Sequence, residues 1–233
     1  MDTSPRQTLR NARAAVNAGD YPAALALYEH FFDHALEADE GFYGVRLSYC
    51  LDEWAELGKT YPQALENLKA RATEAIAGFE TTRNPELFHD YQSILHYLNH
   101  DDAVFAQFIG YHETSSDLAK LAADLMWDSL VESERWDLCA AYLGDAKERY
   151  ETAVHHFDLG MQLYREDPSF GDDDDFARRR RKSYVRDVGS LFRVLKNTSQ
   201  DELLNSLDAT ACADMQSRGE PELIIRVHNR MNA

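Results

Sequence analysis

The chain has 233 residues, with 41 acidic against 24 basic side chains, a formal charge of −17 and a sequence pI near 4.8. At 44% hydrophobic residues it is long and apolar enough to bury a core. The excess negative charge excludes broad binding to nucleic acid or to an anionic membrane, whose phosphates repel such a surface.

Apolar residues recur at three- and four-residue spacing along almost the whole chain. This predicts helices over 5–18, 22–37, 41–57, 62–80, 85–98, 102–114, 117–132, 135–143, 146–165, 175–197, 200–217 and 221–231. Gly19 is suited to end the first, because glycine tolerates a left-handed backbone. Pro22, Pro62, Pro85 and Pro221 fall in first turns, where a missing N–H costs nothing. Asn84, Ser116 and Ser199 are expected N-caps, and Ser199 with Glu202 fits a capping box. No segment alternates with period two for long enough to read as a strand. The fold class is therefore all-α, about 11–12 helices, read as a single domain over 1–233. An acidic body, 1–170, is joined by a loop at 167–175 to a basic C-terminal part, 176–233.

The predicted helices fall into pairs. The second helix of a pair opens on an aromatic or turn cluster followed by a small residue. Examples are Gly19-Asp20-Tyr21-Pro22-Ala23-Ala24, Lys59-Thr60-Tyr61-Pro62-Gln63-Ala64 and Glu134-Arg135-Trp136-Asp137-Leu138-Cys139. Alignment on Ala24, Ala64, Ala103, Cys139 and Ala177 gives repeats of 36–40 residues. The segment from Asn11-Ala12 through Gly19-Asp20-Tyr21, Ala24-Leu25 and Tyr28 resembles a tetratricopeptide (TPR) repeat, although the regular unit has about 34 residues. The resemblance implies a TPR-like solenoid, a right-handed stack of antiparallel hairpins, in which the first helix of each pair lines the concave face.

Arg6, Arg10 and Arg13 form one stripe on the first helix, because residues four and three apart share a face. On the concave face that the resemblance implies, this stripe would receive a carboxylate or an acidic peptide. The lysine and asparagine of the carboxylate-clamp type of TPR are not in that arrangement here.

Residues 84–146 hold 12 acids and two bases, and Asp117, Asp124 and Asp128 lie on or near one helix face, a groove suited to a basic partner. The run Asp172–Asp175 complements a helix N-terminus and can pair with the run Arg178–Lys182 one turn later. The five consecutive bases circle their helix, so only two or three share a side. His30 with His34, and His96 with His100 near His89, are spaced for a metal but more simply read as structural histidines. Trp54, Trp127 and Trp136 read as packing residues. Cys50, Cys139 and Cys212, odd in number and far apart, read as buried free thiols.

The start Met1-Asp2-Thr3-Ser4-Pro5-Arg6-Gln7 lacks the apolar stretch of a secretory signal, and no run is long enough to span a membrane, so a cytoplasmic location is expected. No phosphate-binding glycine loop, nucleophile elbow or zinc-protease helix is present. These readings predict a non-catalytic, cofactor-free module that binds a protein or peptide partner through an acidic helical-repeat surface. One alternative is a bacterial immunity or inhibitor protein that neutralises a basic toxin or nuclease. Another is a helical metal-binding regulator or enzyme using His89, His96 and His100.

Overall fold

Helix punctuation in the sequence sets the element boundaries. The computed structural model describes residues 4–166 and 174–233. Among them it has helices α1 (Pro5–Ala18), α2 (Tyr21–Ala38), α3 (43–60), α4 (Pro62–Thr82), α5 (Pro85–Tyr97), α6 (Asp101–Thr114) and α7 (Ser116–Glu132). They are followed by α8 (Trp136–Tyr142), α9 (Ala146–Glu166), α10 (Asp174–Asn197), α11 (Asp201–Ser217) and α12 (Glu222–Met231). No strand occurs among the described residues, so the chain is all-α as its periodicity predicts. The predicted linking loop at 167–175 lies, for residues 167–173, outside the described residues. Among the described residues no helix is long and apolar enough to cross a membrane.

Most of the expected punctuation forms. Gly19 ends α1 at φ 76°, and the Asp20 N–H closes the turn on the Ala15 carbonyl at 2.9 Å. Asp20 then accepts from the Ala23 N–H at 3.2 Å to start α2, and Asn84 accepts from the Glu86 N–H at 3.1 Å to start α5. Ser199 differs from expectation. It takes the left-handed conformation, φ 57°, that ends α10, while the Gln200 N–H bonds back to the Leu195 carbonyl at 2.9 Å. That closure occupies the residue, so Gln200 precedes α11 without a side-chain cap and the expected box with Glu202 does not form.

The chain divides into two compact units, up to Leu125 and from Met126 onward. In the first, α1 packs closely on α2, and α4 packs both on the Leu51–Thr60 part of α3 and on α5. Small residues permit these approaches. Ala24 and Ala64 are fully buried. At Gly58 an added Cβ would lie 3.0 Å from Leu65 Cβ, so the glycine lets α3 approach the first turn of α4. The indole of Trp54 fills the gap beside it and donates to the Ala64 carbonyl at 2.9 Å. Phe79, Phe88 and Tyr111 knit α4, α5 and α6 together, with ring centroids 5.2–6.5 Å apart.

In the second unit α10 is central. Tyr184, Val188, Leu191, Phe192, Val194 and Leu195 are almost wholly buried. It packs on α9 and on α12, and α12 lies more closely along α10 than against its chain neighbour α11. Gly189 allows this, since an added Cβ there would meet the Arg230 side chain at 3.0 Å. Cys50 and Cys139 are buried free thiols as expected, and burial pushes Cys139 up to about 11. Cys212 is exposed, contrary to expectation: it sits on the outer side of α11, whose inward residues are Leu207, Ala211 and Met215.

Candidate functional site

The arginine stripe of α1 forms one wall of a depression of about 570 Å³ in the first unit. Thr8, Leu9 and Ala12 anchor α1 by burial, which leaves Arg6, Arg10 and Arg13 on an exposed side. The facing wall comes from residues 39–45. Phe42 and Val45 give an apolar floor with Leu9, and Asp39 and Gly41 form the rim. Asp39 is held in place by accepting from the Gly41 N–H at 2.8 Å.

The three arginines are not equivalent. Arg13 forks onto Glu53, with Nη2–Oε1 2.7 Å and Nε–Oε2 3.0 Å, and the Tyr28 hydroxyl donates to the same carboxylate at 3.2 Å. The hydrogen bond to Glu53 raises Arg13 above its ordinary value, while burial and then Glu53 push the Tyr28 phenol up. Arg13 is thus neutralised and positioned. Arg6 and Arg10 make no ion pair among the described residues. The depression therefore presents two uncommitted guanidinium groups beside an apolar floor, with one carboxylate, Asp39, on its rim.

The residue that follows Val45 in the chain belongs to a largely buried ion pair. Arg46 begins a π-helical turn, Arg46–Cys50, within α3. Its guanidinium donates to the Phe32 carbonyl at 2.6 Å and to Asp90 Oδ2 at 2.7 Å, and stacks over the Phe32 ring at 3.8 Å. Beside it the Tyr43 hydroxyl lies 2.8 Å from His89 Nδ1.

Burial lowers His89 below its ordinary value, and the neighbouring Glu86 and Asp90 offset this only in part. An unfolded histidine protonates near pH 6.5. Folded His89 takes its proton at lower pH, so in the window below about 6.5 the unfolded state binds more protons and the first unit loses stability as pH falls. His89→Gln is expected to flatten the fall in urea midpoint between pH 7 and pH 5.5. An unchanged slope would contradict this.

The acids of α7 are placed differently. Asp117 lies 3.5 Å from Arg83 and Asp128 3.4 Å from Arg186, while Asp124 is exposed between them on the same helix. The five-base run also splits. Arg178 pairs with Asp175 at 2.6 Å and Arg181 forks onto Glu220 at 2.6–3.0 Å, whereas Arg179, Arg180 and Lys182 line a separate cleft of the second unit.

His34 meets Glu37 and His96 meets Asp101, at 3.0 and 3.1 Å. No group of three or more His, Cys, Asp or Glu side chains gathers as a metal site needs, among the described residues. Trp54 is buried, Trp127 lies under Arg149 at 4.1 Å, and Trp136 lies under Arg193 at 5.2 Å.

Helical spacing alone places Arg6, Arg10 and Arg13 on one face of α1, whereas Asp39, Phe42 and Val45 meet that face only through the fold. Comparison with known proteins finds no matching family, no matching curated protein and no matching solved structure.

Proposed function

We propose that the chain is a non-catalytic interaction module, a TPR-like stack of helical hairpins in which α1 captures a carboxylate-bearing segment of a partner protein. The observation that carries this reading is the pair Arg6 and Arg10, without an ion pair among the described residues, over an apolar floor of Leu9, Phe42 and Val45. A guanidinium fork recognises a carboxylate through two parallel hydrogen bonds, and the floor suits an apolar side chain next to it. The size of the depression fits a few residues rather than a whole domain. Support for the hairpin stack comes from Ala24 and Ala64, the small residues of the repeat motif, which are both fully buried. The carboxylates of α7 fit a partner less well, because Asp117 and Asp128 already face arginines of the chain.

The double variant Arg6→Gln/Arg10→Gln tests the reading. Both residues are exposed and make no ion pair among the described residues, so stability should stay within about 0.5 kcal/mol of the parent. In parallel affinity purifications read by mass spectrometry, proteins recovered by the parent should fall about tenfold or more with the variant. An identical set recovered by both would overturn the assignment.

A further inference from the structure

The second unit carries a cleft of about 450 Å³ between α10 and α12 whose charged lining is entirely basic. Arg179, Lys182 and Arg186 project from one side of α10, at positions three and four apart, with Arg180 beside them. Arg226 and Arg230, four apart on α12, face them. The close packing of the two helices at Gly189 holds the rows together.

Two of the six cations are balanced within the chain: Arg186 by Asp187 at 2.9 Å and Asp128 at 3.4 Å, and Arg230 by Glu132 at 2.8 Å. Arg179, Arg180, Lys182 and Arg226 have no ion pair among the described residues. Four cations gathered without an ion pair among the described residues repel one another, in a chain rich in acids.

Arg180 adds a second, independent sign. Its Nε is buried with no hydrogen-bond partner among the described residues. Such a group costs free energy unless an acceptor arrives. Its stem lies against Gly160 of α9, where an added Cβ would approach Arg180 Cδ to 2.4 Å. The missing side chain at Gly160 makes room for the stem that carries this guanidinium.

We propose that this cleft binds a small molecule carrying several phosphate groups. Planar guanidinium forks suit phosphate oxygens, Lys182 adds a point charge, and the Ser183 hydroxyl can donate from the lining. The volume fits a small ligand. No aromatic ring lines the cleft among the described residues, so it offers no platform for stacking bases, which disfavours a single strand of nucleic acid. The chemistry is common to a free polyphosphorylated ligand and to a phosphoinositide headgroup.

The test is calorimetric titration of the full chain with sodium tripolyphosphate and with inositol hexakisphosphate, at fixed salt. A saturable one-to-one heat is expected, with a melting temperature that rises with ligand. Arg179→Gln/Arg226→Gln, both exposed and without an ion pair among the described residues, should weaken binding about tenfold or more while circular dichroism is unchanged. Sedimentation with phosphatidylcholine vesicles containing phosphatidylinositol bisphosphate distinguishes the sources. Co-sedimentation lost in the variant supports the site with a lipid headgroup as ligand, and its absence alongside free-ligand binding supports it with a soluble one. No heat with either probe, or equal binding by the variant, would overturn the proposal. So would tighter binding of a 12-nucleotide oligothymidine or a poly-glutamate peptide. None of these variants touches α1, so the outcome is independent of carboxylate capture there.

Discussion

Asp90→Ala is expected to destabilise the first unit by about 3–5 kcal/mol, read as a lower urea midpoint, because it leaves the Arg46 guanidinium charged and unpaired in a buried position. The two side chains are only 11% and 10% exposed, and Arg46 also donates to Phe32 and stacks on its ring. Arg46→Ala should cost a similar amount by stranding the carboxylate. The replacement of both, Arg46→Met with Asp90→Leu, should recover most of the loss, since a well-packed apolar pair removes the desolvation cost along with the attraction. Additive losses in the double variant would show that the two residues act separately. The pair also ties the π turn of α3, which begins directly after Val45 in the chain, to α5. Asp90→Ala should therefore weaken partner capture as well, whereas the apolar double variant should retain it.

Trp54→Ala is expected to cost about 3–5 kcal/mol, by loss of buried apolar surface and by the cavity left behind. The indole is fully buried, packs edge-on to Phe32 at 6.1 Å and donates to Ala64 at the α3–α4 crossing. Trp54→Phe separates the contributions: it keeps most of the ring and removes the donor, and a smaller loss of about 1–2 kcal/mol is expected. Urea unfolding followed by circular dichroism suits both variants, because the fluorophore itself is changed. Against a typical domain stability of roughly 5–15 kcal/mol, the alanine variant should be marginal at 37 °C. A loss below about 1 kcal/mol would mean that the crossing is not packed as described.

The physical reasons why some of this was legible in the sequence and some was not are particular to residues. Helices were legible because their signals are local: Gly19 and Asn84 act within a turn of themselves. Ser199 misled because two local rules compete for it, and the closure of α10 prevails over the capping of α11. Cys212 misled because an apolar neighbourhood in sequence does not say which side of α11 a residue occupies. The π turn carried no signal at all, since its buried partner, Asp90, lies 44 residues away. The candidate site divides in the same way. The stripe Arg6, Arg10 and Arg13 follows from helical spacing, but Glu53, which neutralises Arg13 alone, and the floor from 42–45 are set by the packing of α1 against later helices. The base run at 178–182 was visible, whereas its division between ion pairs and an open cleft depends on Glu220 and α12.

Carboxylate capture by α1 is tested most directly on an array of short peptides in which an aspartate or glutamate sits beside an apolar residue. Peptides retained by the parent are expected to lose about tenfold or more in affinity when the acid is exchanged for its amide, and Arg6→Gln/Arg10→Gln to show the same loss on the unmodified peptides. Retention indifferent to both changes would contradict it.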